Sequence, residues 1–90
     1  MTARRTKLDI ITDILFVIQN KGGTIKPTHL LYKANLSHKL MNTYLEELIK
    51  KEAIERVSIK NRSYISIKDK GLELLQSLKK MKEFQDAFGL

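Results

Sequence analysis

Apolar residues recur along the front of the chain with a period near 3.6, and from Val57 to Ile67 with a period of 2. Between Lys7 and Asn20, Leu8, Ile11, Ile14, Leu15 and Ile18 share a helical face while Asp9 and Asp13 lie on another. Lys21-Gly22-Gly23 predicts the stop, because glycine takes the positive φ of a helix terminus without a Cβ penalty. Thr24-Ile25 reads as extended, since Lys26 precedes a proline. Pro27 suits the first turn of a second helix, where a missing N–H is no loss. That helix, Pro27 to Ala34, is expected to bury Leu30, Leu31 and Tyr32. Asn35-Leu36 interrupts the pattern, and Ser37 offers a capping oxygen to a third helix running to about Glu52. Two helices joined so tightly have helix-turn-helix geometry.

The period-2 segment predicts an antiparallel hairpin. Val57 and Ile59 alternate with Ser58 and Lys60, and Ile65 and Ile67 with Ser66. Placing all four apolar residues on one face sets residue 57 opposite 67, 59 opposite 65 and 60 opposite 64, with Asn61-Arg62-Ser63 at the tip. A last helix, from about Asp69 to Phe88, carries two apolar faces. Leu72 and Leu75 point toward the preceding domain, while Leu74, Leu78, Met81, Phe84 and Phe88 gather on an arc of about 120° that nothing earlier in the chain is left to cover. The expected architecture is mainly α with a β-hairpin wing (α+β). It is a winged helix-turn-helix over residues 1–68 followed by a long C-terminal dimerisation helix over 69–90.

Ninety residues make one domain near the lower limit for an unaided core, so a partner chain would help. Without cysteine there is neither a disulfide framework nor a thiolate metal site. Asp9 and Asp13 are wrong for a secretory apolar region, and no stretch approaches the roughly 18–20 apolar residues of a membrane span. A soluble, cytoplasmic protein with no membrane partner is expected. The net charge of +7 is unevenly placed: residues 1–70 hold fourteen basic and seven acidic side chains, and residues 71–90 three of each. A basic body beside a neutral tail points to a polyanion partner for the one and a different task for the other.

In a winged helix the third helix enters the major groove, about 12 Å wide, and the hairpin reaches phosphates or an adjacent groove. Here the core takes Met41, Leu45 and Leu48, with Leu40, Tyr44 and Ile49 at the edges, leaving His38, Lys39, Asn42 and Thr43 on the other face. Asn suits a bidentate pair with adenine, and Thr bonds base edges or touches a thymine methyl. Glu46 would repel phosphates and marks the limit of groove contact. Lys26, Thr28 and Lys33 around the second helix, Lys60 and Arg62 at the hairpin tip, and an N-terminal arm of Arg4, Arg5 and Lys7 suit phosphate contacts, which position without reading sequence. His29 and His38 lack a third ligand at metal spacing, Gly22-Gly23 is only a turn, and no nucleophile and base are paired. Neither catalysis, nor a cofactor, nor a small-molecule substrate is expected.

KLDIITDIL, HLLYKANLS, YLEELIKKEAI and YISIKDKGLELL, spread over residues 5–78, resemble the archaeal winged-helix DNA-binding family of small chromatin-associated proteins and regulators. That resemblance implies double-stranded DNA as partner, little sequence preference, a nucleoid-associated location, and a homodimer joined by an antiparallel coiled coil of last helices. Leu74, Leu78, Met81, Phe84 and Phe88 would form its seam. The chain departs from the family's usual Thr-Glu-Lys-Gly with Lys68-Asp69-Lys70-Gly71, so the last helix must be capped by Asp69 or Ser66. That helix is also short, roughly 30 Å. Three functions stay in play: a sequence-tolerant DNA organiser, a site-specific transcriptional regulator using Asn42 and Thr43, and a protein-interaction module.

Overall fold

The computed structural model describes residues 5–89. Seven elements follow in order: α1 (Lys7–Asn20), β1 (Thr24–Ile25), α2 (Pro27–Lys33), α3 (His38–Lys50), β2 (Ile54–Ile59), β3 (Arg62–Ile67) and α4 (Asp69–Ala87). The strands form one antiparallel sheet in the order β1-β3-β2. Helix bounds agree with the apolar periodicity to within two residues.

Local chemistry explains the boundaries. Thr6 and Asp9 form a reciprocal capping box: the Thr6 hydroxyl accepts from the Asp9 N–H at 3.1 Å, and the Asp9 carboxylate from the Thr6 N–H at 2.9 Å. Ser37 caps α3 by accepting from the Leu40 N–H at 3.2 Å. The first three helices close with the same left-handed device. Gly23 donates to Ile18, Leu36 to Leu31 and Ala53 to Leu48, while Gly22, Asn35 and Glu52 supply the positive φ. Glycine announces only the first of these; Asn35 and Glu52 adopt the conformation because the carbonyls behind them need donors. α4 begins differently from expectation. Lys68 is its N-cap without a side-chain bond, Asp69 lies inside the first turn, and Ser66 Oγ instead contacts Gly23 O and Thr24 Oγ1, each at 3.3 Å.

One core joins all elements. Ile14, Leu15 and Ile18 of α1 meet Leu30, Leu45, Leu48, Ile54, Ile65 and Leu75, all essentially without solvent contact. Among the described residues no polar side chain is buried. Three residues expected in the core or at its edge lie outside it: Leu8 is half exposed, Leu40 is 38% exposed, and Tyr32 is 80% exposed because Ala34 takes the buried position beside Leu30.

The hairpin register also differs. Ile54 faces Ile67, Arg56 faces Ile65, Val57 faces Tyr64 and Ile59 faces Arg62. The tip is Lys60-Asn61, with φ of 50° and 65°, the two-residue mirror-image turn whose twist matches the strands. Because Ile54, immediately after α3, already supplies the apolar partner for Ile67, the pairing shifts by an odd number of residues. Val57 and Ile59 therefore lie on the sheet face opposite Ile65 and Ile67, where Ile59 is exposed.

The first half of α4 belongs to this core. Gly71, Leu75 and Leu78 are buried, and Leu72 and Leu74 are half-buried. Leu78, placed by periodicity on the uncovered stripe, is thus covered by its own chain. The rest of α4 runs alongside the start of α1, and the molecule has extents of 48 × 29 × 22 Å.

Candidate nucleic-acid interface

The buried stripe of α3 (Met41, Leu45 and Leu48) turns the opposite face outward, and His38, Lys39, Asn42 and Thr43 are all exposed there. The Thr43 hydroxyl donates to the Lys39 carbonyl at 2.9 Å, leaving its lone pairs and methyl group for a partner. No carboxylate occupies the first turn of α3. The acidic residues farther along are matched by cations. Glu46 lies 4.0 Å from Arg56 on β2, and Glu47 is 2.7 Å from Lys7 and 3.8 Å from Lys51. Glu52 is 3.0 Å from Lys70. The hydrogen bond from Lys7 holds the Glu47 carboxyl below its usual range, and the same contact raises the Lys7 ammonium. Exposed pairs like these, screened by solvent, stabilise the fold little. Their larger consequence is on the field: the carboxylates are locally neutralised, and the excess positive charge remains on other cations.

Those cations fall in three places. Lys60 and Arg62 are exposed at the hairpin tip, Lys60 within the turn and Arg62 at the start of β3 opposite Ile59. Lys26 is the half-buried N-cap of α2, with Thr28 exposed two residues on, in the first turn. Lys33 is exposed in the last turn of α2 and, with His29 and Lys21, lines a groove against α1 floored by Phe16, Val17 and Ile25. Lys33 sits toward the α1 side. Among the described residues none of Lys26, Lys33, Lys39, Lys60 or Arg62 is in an ion pair.

The N-terminal arm divides. Arg4 lies outside the described residues. Arg5, expected to track phosphates, is turned inward: Nη1 donates to Asp13 Oδ2 at 3.1 Å and to the Ala34 carbonyl at 2.6 Å, and Nη2 to the Asn35 carbonyl at 2.7 Å. Lys7 is held by Glu47. No periodicity signals these ties, which link positions about thirty or forty residues apart. Arg56, which periodicity did not single out, reaches Glu46 because of the shifted register.

On α4, Met81, Phe84 and Phe88 are exposed, the two rings 4.7 Å apart and tilted. Leu8 and Met81 line the same groove between α1 and α4, and Lys79 Nζ stands 5.0 Å over the Phe16 ring. Among the described residues no helix is long and apolar enough to cross a membrane, and no three His, Asp or Glu side chains gather as a metal site.

The fold is shared with solved proteins. Sso10a-2, a DNA-binding protein from Sulfolobus solfataricus, superposes with a TM-score of 0.80 at 23% identity over 93% of this chain and 85% of that one. F93 from STIV, a winged-helix DNA-binding protein, gives 0.74 at 14% identity over 91% and 92%. A mutant MarR from E. coli complexed with operator DNA gives 0.72 at 18% identity, over 84% of this chain but 55% of that one. No curated protein matches the sequence. A family model described as winged helix-turn-helix matches residues 4–86, nearly the whole chain. With the capped α3, the tight turn before it and the β2–β3 wing already in place, this chain belongs to the winged helix-turn-helix family.

Proposed function

We propose that the protein binds double-stranded DNA, with the N-terminal turns of α3 in the major groove and the wing on the backbone. The observation that carries the reading is the exposed face of α3 bearing His38, Lys39, Asn42 and Thr43, with no carboxylate in its first turn, together with the exposed cations Lys60 and Arg62 at the wing tip, which form no ion pair among the described residues. Lys26, Thr28 and Lys33 add phosphate contacts along α2. The two DNA-binding proteins that share the fold over most of both chains support the same partner.

Most of the available contacts are cationic and suit phosphates, so binding is largely sequence-tolerant. Met81, Phe84 and Phe88 are the part of the α4 stripe that the chain leaves uncovered, with half-buried Leu74 at its edge and Leu78 beneath, and a second copy covers it. The stretch that carries the uncovered stripe, Lys79 to Ala87, is only about 14 Å long at 1.5 Å per residue, so the pairing is compact. Each dimer then carries two DNA-binding heads and bridges or organises chromosomal duplexes in the cytoplasm. The test is duplex binding at several salt concentrations together with the mass in solution. Tight, salt-sensitive binding of random duplexes by a dimer supports the proposal.

A second reading, a site-specific regulator, is favoured by Asn42 and Thr43, which are equipped to read base edges, and by the operator complex of the MarR neighbour. Selection from random duplexes separates the two: a two-fold site with fixed half-site spacing supports the regulator, and a flat pool the organiser.

A further inference from the structure

The tight turn that sets α3 against α2 is held from outside the helix pair. Asn35 is left-handed there, at φ 54°, and the Ala34 and Asn35 carbonyls, at the end of α2, point to a cation. Arg5 supplies it. Its planar fork spans both carbonyls at 2.6 and 2.7 Å and, through Nη1, the Asp13 carboxylate at 3.1 Å. A guanidinium meets three acceptors at fixed angles, which an ammonium cannot do. The position of the fork is itself fixed, because Arg5 immediately precedes Thr6, whose capping box with Asp9 defines how the chain enters α1. A second strap runs parallel to it: Lys7 Nζ bonds Glu47 on α3 at 2.7 Å. One strap joins the segment before α1 to the α2–α3 turn and the other joins the start of α1 to α3, which presents the proposed DNA-reading side chains.

We infer that Arg5 is a positioning residue for DNA binding, acting with Asp13 to fix the helix-turn-helix angle, and that it is not a phosphate contact. The inference rests on the proposed binding of duplex DNA. It assigns to this arginine an effect on affinity with no effect on the number of counterions released. Loss of a phosphate contact changes both, since each lost contact also lowers the salt slope by about 0.9.

The test compares Arg5→Gln, Arg5→Lys, Asp13→Asn and, as the phosphate-contact reference, Lys39→Ala in the full chain. Duplex affinity is measured from about 50 to 200 mM salt, corrected for the folded fraction. Arg5→Gln should weaken binding roughly tenfold at every salt concentration with the slope unchanged, Arg5→Lys and Asp13→Asn less so, and Lys39→Ala should lower the slope. A lowered slope for Arg5→Gln makes it a phosphate contact, and unchanged affinity leaves the tie with a stability role alone; either result overturns the inference. Amide hydrogen exchange of the same variants stands apart from DNA binding. Faster exchange at Asn35, Leu36 and Leu40, with Leu15 protected as before, supports the positioning role even if the wild-type chain binds no duplex. Uniform or unchanged exchange contradicts it.

Discussion

The carbonyl oxygen of Ala53 lies directly beneath Gly71, and it also accepts from the Lys68 N–H at 2.9 Å. The first turn of α4 can sit this low on the α3–β2 junction only because residue 71 has no Cβ. A methyl group there would overlap the Ala53 carbonyl and press on Ile67. On helix propensity alone Gly71→Ala should stabilise by about 1 kcal/mol. Backbone overlap dominates, and the variant should instead lose about 1–3 kcal/mol in denaturant titration. A gain in stability would mean that α4 docks differently.

If Lys60 contacts phosphate as proposed, it should link wing stability to DNA affinity in opposite senses. Its φ of 50° strains an L-residue, and Lys60→Gly relieves that strain while removing a charge from the wing tip. The variant should gain roughly 0.5–1 kcal/mol in thermal or denaturant unfolding. Its log K against log[salt] slope should fall by about 0.9. Stability and affinity moving together would contradict the placement of Lys60 in both roles.

Phe84 and Phe88, 60% and 67% exposed, make few contacts within their own chain. Replacing both by Ser should therefore change the unfolding of the monomer by no more than about 0.5 kcal/mol, as surface substitutions do. The same change should shift the mass in solution from dimer to monomer in sedimentation. A dimer that survives the double substitution would place its interface elsewhere.

Acid should loosen the α1 capping box and the Lys7–Glu47 tie. The Thr6 backbone N–H holds the Asp9 carboxyl low, and the Lys7 ammonium does the same for Glu47. A carboxyl depressed on folding contributes stability that is fully present above its unfolded value, near pH 4, and is lost as pH falls through the folded value. The melting temperature should accordingly be flat near neutrality and drop below about pH 4. Glu47→Gln should show a smaller drop. For Lys7, raised by Glu47, the sign is opposite: its contribution persists below its ordinary range and disappears as pH climbs through the raised value.

Much of this architecture was legible in the residue pattern, because helical periodicity, a proline at the start of α2, and Ser37 before α3 all act locally. The face of α3 carrying Lys39, Asn42 and Thr43 followed from subtracting Met41, Leu45 and Leu48. What escaped was non-local. The hairpin register turned on Ile54, a residue whose partner is decided by where α3 ends and not by the alternation of Val57 and Ile59. Arg5 reads as one more basic residue in an arm until the turn at Ala34 and Asn35 is brought beside it. Leu78 fits two stripes on a helical wheel, and only the docking of α4 on the domain decides between them.

The central claim is that the α3 and wing surface holds duplex DNA chiefly by its phosphates. The most direct measurement is the affinity of a random-sequence duplex as a function of salt. If each head neutralises about 4–5 phosphates, log K should fall against log[salt] with a slope of roughly −4 per head, equally for unrelated sequences. An affinity independent of salt, or no duplex binding at about 100 mM salt, where a basic surface of this kind should still bind, would contradict it.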